Sequence, residues 1–260
     1  MNTKITSTEW WNQYMIEHLQ TNLRSLRLGG MAENLLVRCQ EARANDLDYE
    51  DFIRRLIEDE LTRRKNNLIS RRVKGARFPQ TMTLENFDFS FNTSISKKVI
   101  MALQSTAFVT RRQNVLFVGP PGVGKTHIAL AIGYTSVCNG HSVSYRSSFD
   151  LVAEMADALH SGTRKEMVNK LVACNLLIID EFGMKAMPQN AADDLLEIIH
   201  RRYQTGSTII ATNRPVADWG ALLGDVPATS AILDRFLDNA ELIQIKGKSY
   251  RLSKNKSAEE

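Results

Sequence analysis

The chain has little cysteine, no long apolar run and almost no excess of charge, and each shortage removes a class of protein. Its three cysteines, Cys39, Cys138 and Cys174, are scattered and odd in number. They fit neither a disulfide-stapled scaffold nor a zinc module, and read as reduced thiols of an intracellular protein. No segment approaches the roughly 18 uninterrupted apolar residues that cross a bilayer, and the N-terminus lacks the apolar stretch of a secretory signal. The expectation is a soluble, cytoplasmic protein with no membrane partner. Lys and Arg total 33 against 29 Asp and Glu, a net of +4, so a polyanion partner is permitted and only the distribution of charge can argue for one. No C₂H₂, RRM or basic-zipper pattern occurs, and no Asn-Lys-x-Asp motif that would read guanine. No acidic triad for cutting DNA strands accompanies the carboxylates described below.

What is present is a phosphate-binding signature. Gly119-Pro120-Pro121-Gly122-Val123-Gly124-Lys125-Thr126 satisfies G-x-x-x-x-G-K-[ST], in which backbone N–H groups cradle phosphates, the Lys reaches the outer phosphates and the hydroxyl ligates Mg²⁺. Its flanks are right: Asn114 to Val118 reads as a short buried strand, and Thr126 onward as a helix whose N-terminus faces the anion. His127, next in that helix, joins the ATP-binding set. The bland alternative is a Gly-rich turn.

Strands and helices alternate after the signature. Ser142 to Arg146 reads as a strand, Ser147 or Ser148 caps a helix to His160, and Leu176 to Ile179 is a fully apolar strand; this is α/β architecture, a parallel sheet with helices on both faces. That apolar strand runs into Asp180-Glu181. Asp180 at its C-terminal end is positioned to hold Mg²⁺ together with Thr126, and Glu181 to activate the water that attacks the γ-phosphate; an exposed acidic pair at a strand end is the competing reading. Pro188 to Tyr203 follows as a helix whose Arg201 and Arg202 complement its dipole or serve a subunit interface. The strand Ser207 to Thr212 ends in Asn213, an amide that can contact the attacking water or the γ-phosphate, with a turn before Pro215 as the other reading. A last strand covers Leu242 to Ile245.

The first 77 residues read as helices. Trp10, Tyr14, Leu19, Leu23 and Leu26 recur at helical spacing, Leu28-Gly29-Gly30-Met31 interrupts them, and Asp48 is placed to cap a third helix. Trp10 and Trp11 read as core or docking residues. From Thr62 to Leu84 there is no acidic residue. Arg63, Arg64, Lys65, Arg71, Arg72 and Lys74 accumulate there, so the stretch is either a solvated helix face or a sequence-independent contact to the phosphates of duplex DNA. The segment 78–93 then reads as an extended linker with packing phenylalanines, and Ser94 as the cap of the helix before the phosphate loop. The expected division is 1–77 for DNA or partner binding, 78–93 as linker and 94–260 as the ATPase domain.

In this order GPPGVGKT, LLIIDEFG (176–183), STIIATNRP (207–215), SAILDRF (230–236) and SYRL (249–252) resemble the IstB-like ATP-binding proteins of insertion sequences. These are AAA+ ATPases related to DnaC helicase loaders and, further off, to DnaA initiators. The resemblance reaches Leu28-Gly29-Gly30-Met31-Ala32 and the linker, nearly the whole chain. It implies an AAA+ core without the usual C-terminal lid, Asp180 and Glu181 as the Walker B pair, Asn213 as sensor 1, Arg235 as an arginine finger and Arg251 as sensor 2. A finger supplied in trans makes hydrolysis conditional on assembly; the competing reading of Arg235 is a surface residue paired to Asp234 or Asp238. Arg164, Lys165 and Lys170 fall where related initiators face DNA. The implied protein binds ATP with Mg²⁺, assembles with itself on DNA and serves a transposase; a helicase loader and a nucleotide-gated binding module with little turnover are the alternatives.

Overall fold

A computed structural model describes residues 7–184, 188 and 191–256, with side chains from Tyr14 onward as far as Ser253. The side chains of Trp10 and Trp11 lie outside the described residues. The chain divides into two compact units, Met1–Arg71 and Arg72–Glu260.

The first unit holds α1 (Ser7–Ser25), α2 (Gly29–Ala44) and most of α3 (Tyr49–Ala76). Asp48 caps α3 as expected, its Oδ1 accepting the Asp51 N–H at 2.7 Å. The Gly pair does not make the turn. The chain reverses at Leu26-Arg27, where Arg27 takes φ 60°, and α2 begins at Gly29. Leu28 offers no side-chain cap, so the cap comes from another helix. Glu60 of α3 accepts the N–H of Gly30 at 2.6 Å and of Met31 at 3.4 Å. That approach requires glycine, since a Cβ on Gly30 would stand 2.7 Å from the Asp59 carbonyl oxygen. Arg38 clasps Asp59 with two hydrogen bonds of 2.8 and 2.7 Å, which completes the α2–α3 joint.

In the second unit β1 (Asn114–Val118), β2 (Val143–Ser147), β3 (Leu176–Phe182), β4 (Ser207–Thr212) and β5 (Ala240–Gln244) form one sheet in the order β2-β3-β4-β1-β5, every pair parallel. Parallel strands buried on both faces need near-continuous apolar runs, and β1, β3 and β4 supply them. The intervening helices are α4 (Lys97–Gln104), α5 (Ala107–Thr110), α6 (Lys125–Cys138), α7 (Ser148–His160), α8 (Arg164–Ala173), α9 (Ala191–Arg202), α10 (Trp219–Leu223), α11 (Val226–Leu237) and α12 (Tyr250–Lys256). Ser147 caps α7. Ser96, not Ser94, caps α4. The Ser94 hydroxyl is taken instead by the C-terminal segment, donating to Lys246 O at 2.7 Å and accepting Lys246 N–H at 2.9 Å.

Arg202 corrects the surface reading given to it. It is 2% exposed and donates to Leu171 O (2.8 Å), Cys174 O (2.8 Å), Thr208 Oγ1 (3.0 Å) and Ser207 O. Burial lowers its pKa, and with its donors consumed by carbonyls it joins α9 to the sheet rather than serving an interface.

Glu60 generates a stability prediction. Burial works against its charge, but Arg64 and the amides of Gly30 and Met31 prevail and hold its carboxyl below the usual value. The stabilisation is complete above the unfolded pKa of about 4.3 and is lost as pH falls through the lower folded value. Glu60→Ala should destabilise the helical unit by about 2 kcal/mol near neutrality, the cost of removing charge-assisted bonds from a buried cap. Denaturant unfolding of the full chain at pH 7 and pH 3 checks it; a difference that persists undiminished at pH 3 contradicts the assignment.

Candidate nucleotide site

The strand ends of a parallel sheet collect at one edge, and the phosphate loop leaves that edge between β1 and α6. Gly119 donates its N–H to Thr212 O at 3.1 Å, which holds the loop over the end of β4. A Cβ at Gly119 would lie 2.2 Å from the Ile245 carbonyl oxygen, so only glycine fits. Gly122 and Gly124 adopt φ 79° and 105°, the left-handed region that glycine enters without strain. The C-terminal segment closes on the same loop, with the Tyr250 N–H on Gly122 O at 3.0 Å.

Lys125 is 8% exposed. Its Nζ donates to the carbonyls of Gly119 (2.8 Å) and Pro120 (2.9 Å). Burial pushes its pKa down, and the charge of Arg251 adds to that against the pull of Asp180. A buried ammonium held only by peptide carbonyls is short of negative charge, which is the condition an incoming phosphate relieves. Beside it opens a cleft of about 400 Å³ lined by Gly122 to His127, Met82, Phe87, Phe91, Tyr250 and Arg251 among others. Pro120 and Pro121 lie exposed on the loop, and Val123 is buried beneath it. The linker, whose phenylalanines are expected to pack on the core, thus supplies walls of the cleft. Phe87 meets His127 edge-on at 5.1 Å and Phe91 meets Tyr250 at 5.0 Å. The His127 ring is turned to the linker, with Nε2 2.8 Å from Thr83 O. The signal was aromatics without helical period beside a phosphate loop.

At the tip of β3 the backbone changes register. Ile179 pairs with Ile210 but Phe182 pairs with Thr212, so Asp180 and Glu181 together oppose the single residue Ala211. Glu181 takes φ 57°, a strained conformation for a side chain with a Cβ. Its carbonyl is held by the Ser148 hydroxyl at 3.0 Å and its N–H by Asp180 Oδ1 at 2.8 Å. The bulge sends neighbouring carboxylates into opposite environments: Asp180 is 1% exposed and Glu181 faces solvent. Tyr145 of β2 donates its hydroxyl to Asp180 Oδ2 at 3.1 Å. Burial and the Asp180 charge push the Tyr145 pKa far up, so it remains a donor. Sequence spacing gave no sign of this residue.

Among the described residues no cluster of three or more His, Cys, Asp or Glu side chains could hold a metal. Thr126 and Asp180 suit Mg²⁺, which is usually bound by one or two protein groups and completed by phosphate and water. Asn213 follows the Thr212 carbonyl that receives Gly119, and its Oδ1 is buried without a partner, an acceptor available to a water. The turn reading also holds, since Arg214 N–H bonds Thr212 Oγ1 at 3.0 Å.

Arg235 stands apart. No residue of α11 lines the cleft; Arg235 lies in a hollow with Asp193, Glu197 and His200 and donates to Ala231 O of its own helix at 3.0 Å. Among the described residues it makes no ion pair with Asp234 or Asp238, and Asp238 accepts the Tyr203 hydroxyl at 2.8 Å.

The basic residues divide. Arg164 pairs with Asp194 and Glu197 at 2.7 Å each, which joins α8 to α9. Arg72 bonds the Gly140 carbonyl, Arg63 pairs with Glu33 at 3.1 Å and Arg64 with Glu60 at 2.6 Å. Lys170 shares its hollow with Glu154, Asp157 and Glu166. Lys65, Arg71, Lys74 and Lys165 are exposed and carry no ion pair among the described residues.

A parallel five-stranded sheet in this order, a glycine phosphate cradle and a carboxylate pair at the neighbouring strand tip define a P-loop nucleotide-binding protein of the AAA+ class. The chain belongs to the IstB-like ATP binding protein family, whose sequence profile matches residues 21–258. It is 36% identical over 243 residues to an insertion sequence IS21 ATP-binding protein of Pseudomonas aeruginosa, covering 94% of this chain and 91% of the relative. A counterpart from IS5376 of Geobacillus stearothermophilus is 32% identical, covering 95% and 98%. Among solved structures the DnaC helicase loader is similar at a TM-score of 0.50 and 25% identity, over 57% of this chain and 87% of that one. AMPPCP-bound DnaA from Aquifex aeolicus shares the fold at a TM-score of 0.54 and 24% identity, over 68% of this chain and 55% of that one.

Lys125→Ala should reduce ATP affinity by at least about a hundredfold, the loss expected when a buried charge-assisted phosphate contact is removed. Titration calorimetry with ATP measures it, and wild-type affinity in the variant contradicts the site.

Proposed function

We propose that this protein is an ATP-driven switch of DNA transposition, which assembles on DNA in the ATP state and helps a partner transposase select or activate its target. The observation that carries the reading is the division of the site. Lys125, Thr126, Asp180, Glu181 and Asn213 belong to the segments at the carboxyl ends of β1, β3 and β4, while Arg235 sits on α11, in a hollow with Asp193 and Glu197, and makes no ion pair among the described residues. A second copy supplying Arg235 completes the site, so ATP occupancy and assembly become one event. The transposase as partner is supported by the insertion-sequence origin of the relatives. A helicase loader is the second reading, favoured by the likeness to DnaC.

In this mechanism Lys125 leaves the Gly119 and Pro120 carbonyls for the outer phosphates. Thr126 and Asp180 hold Mg²⁺, which when bound neutralises charge on the phosphate oxygens. Glu181 accepts a proton from the attacking water that Asn213 orients, and the neighbour's Arg235 meets the charge that moves to the leaving oxygen. Arg251, at the mouth of the cleft, acts on the same phosphates in cis. Hydrolysis then resets the assembly.

Glu181→Gln should slow phosphate release about 10²- to 10⁴-fold, the usual contribution of a positioned base, while ATP-dependent assembly on duplex DNA persists. Phosphate-release kinetics with light scattering on DNA check both halves; unchanged turnover removes Glu181 as the base, and Arg235→Ala that still assembles and turns over normally removes the shared site.

The exposed cations of α3 supply the DNA contact in this reading, and its selectivity is for phosphate rather than base sequence. Reversing Arg71 and Lys74, three residues apart on one face of α3, to Glu should weaken binding to duplexes of unrelated sequence alike and flatten the salt dependence by about two phosphate contacts. Fluorescence anisotropy between low and moderate salt reads the slope, and an unchanged slope moves the DNA surface elsewhere.

A further inference from the structure

Asp180, the carboxylate assigned to Mg²⁺ in the proposed function, is held by two donors. The Glu181 N–H on Oδ1 follows from the bulge in its own strand. The Tyr145 hydroxyl on Oδ2 arrives from the adjacent strand. Parallel register sets it there: Tyr145 stands beside Ile178 and Ser147 beside Asp180, so Tyr145 and Asp180 share one face of the sheet two residues apart along their strands. Tyr145 is itself held in place. It is 7% exposed, its ring lies 6.5 Å from that of Phe78 at a 59° tilt, and its carbonyl accepts from the buried Arg146 guanidinium at 2.5 Å.

We propose that Tyr145 is a positioning residue for the Mg²⁺-dependent step of nucleotide binding, its hydroxyl fixing the rotation of the Asp180 carboxylate so that the remaining lone pairs face the metal. The inference rests on the assignment of Asp180 to the metal. A carboxylate held at one oxygen can turn about its terminal bond, which is a soft torsion. A second donor on the other oxygen removes that freedom. Both donors come from the chain's own adjacent strands, so the cost of ordering the carboxylate is met during folding rather than at binding. Phenylalanine at this position would fill the same space on Phe78 and lack only the donor.

The test measures ATP affinity of the full chain by displacement of a fluorescent ATP analogue across a Mg²⁺ titration, starting in EDTA. Tyr145→Phe should raise the Mg²⁺ concentration that half-maximally tightens ATP binding by about tenfold, the lower end of what loss of an outer-shell partner costs a metal site, and leave affinity in EDTA unchanged. Phe78→Leu, which alters the packing of the ring but keeps the hydroxyl, should leave the Mg²⁺ midpoint at the wild-type value. Thermal unfolding of each variant separates fold from function: a Tyr145→Phe protein that melts earlier yet keeps or lowers the midpoint makes Tyr145 a packing residue and overturns the proposal. Asp180→Asn keeps the two readings apart. If it leaves the midpoint unchanged, the metal assignment of Asp180 fails first; if it moves the midpoint while Tyr145→Phe does not, only the role of Tyr145 fails.

Discussion

All five strands run the same way, and that one constraint places their carboxyl ends along a single edge where backbone must approach backbone closely. β1 lies between β4 and β5. The loop that follows it is therefore pinned from both sides, by Thr212 O on the Gly119 N–H and by the Ile245 N–H on Val118 O at 2.7 Å. The gap left over admits a hydrogen atom at Gly119 and no carbon. The phosphate cradle is as much a product of sheet packing as of loop composition, because its first glycine answers to Ile245, a residue 126 positions away in sequence.

Buried charge is treated in two ways in the same unit. Arg202 is surrounded by carbonyls and a hydroxyl that consume its donors, so nothing remains for a ligand and its role is to join α9 to the sheet. Lys125 and Asp180 are also buried, yet each is held by fewer groups, and those of Lys125 are weak neutral acceptors on the loop itself. A phosphate oxygen outcompetes a peptide carbonyl for an ammonium because it adds net charge to the same geometry. The difference between a structural and a functional buried cation lies in what remains unsatisfied.

Charge in the helical unit follows the same logic. The acid-free stretch beginning at Thr62 looked uniform in sequence, but its members face different neighbours: Arg64 returns to Glu60, which caps α2, while Lys65 and Lys74 project outward. A helix turns about 100° per residue, so adjacent cations belong to different surfaces. Folding sorts a charge run into joints and free groups.

By itself the sequence determined the parts whose signal is local. The phosphate loop, the apolar strand running into Asp180-Glu181, the helix caps at Asp48 and at Ser147 or Ser148, and the alternation that makes a parallel sheet are all read within a dozen residues, because each is set by hydrogen bonding or periodicity between near neighbours. What tertiary structure alone decided are the pairings across the chain. Ser94 lost its cap role to Lys246, Gly30 began a helix because Glu60 reaches it, Arg202 went inside, Arg164 met Asp194, the linker aromatics became a cleft wall, and Tyr145 found Asp180. In each case the partner lies about 30 residues or more away or on another strand, except for Arg202, whose burial is set by helix-to-sheet packing. Their energy depends on distance and solvent exclusion that only the assembled fold supplies.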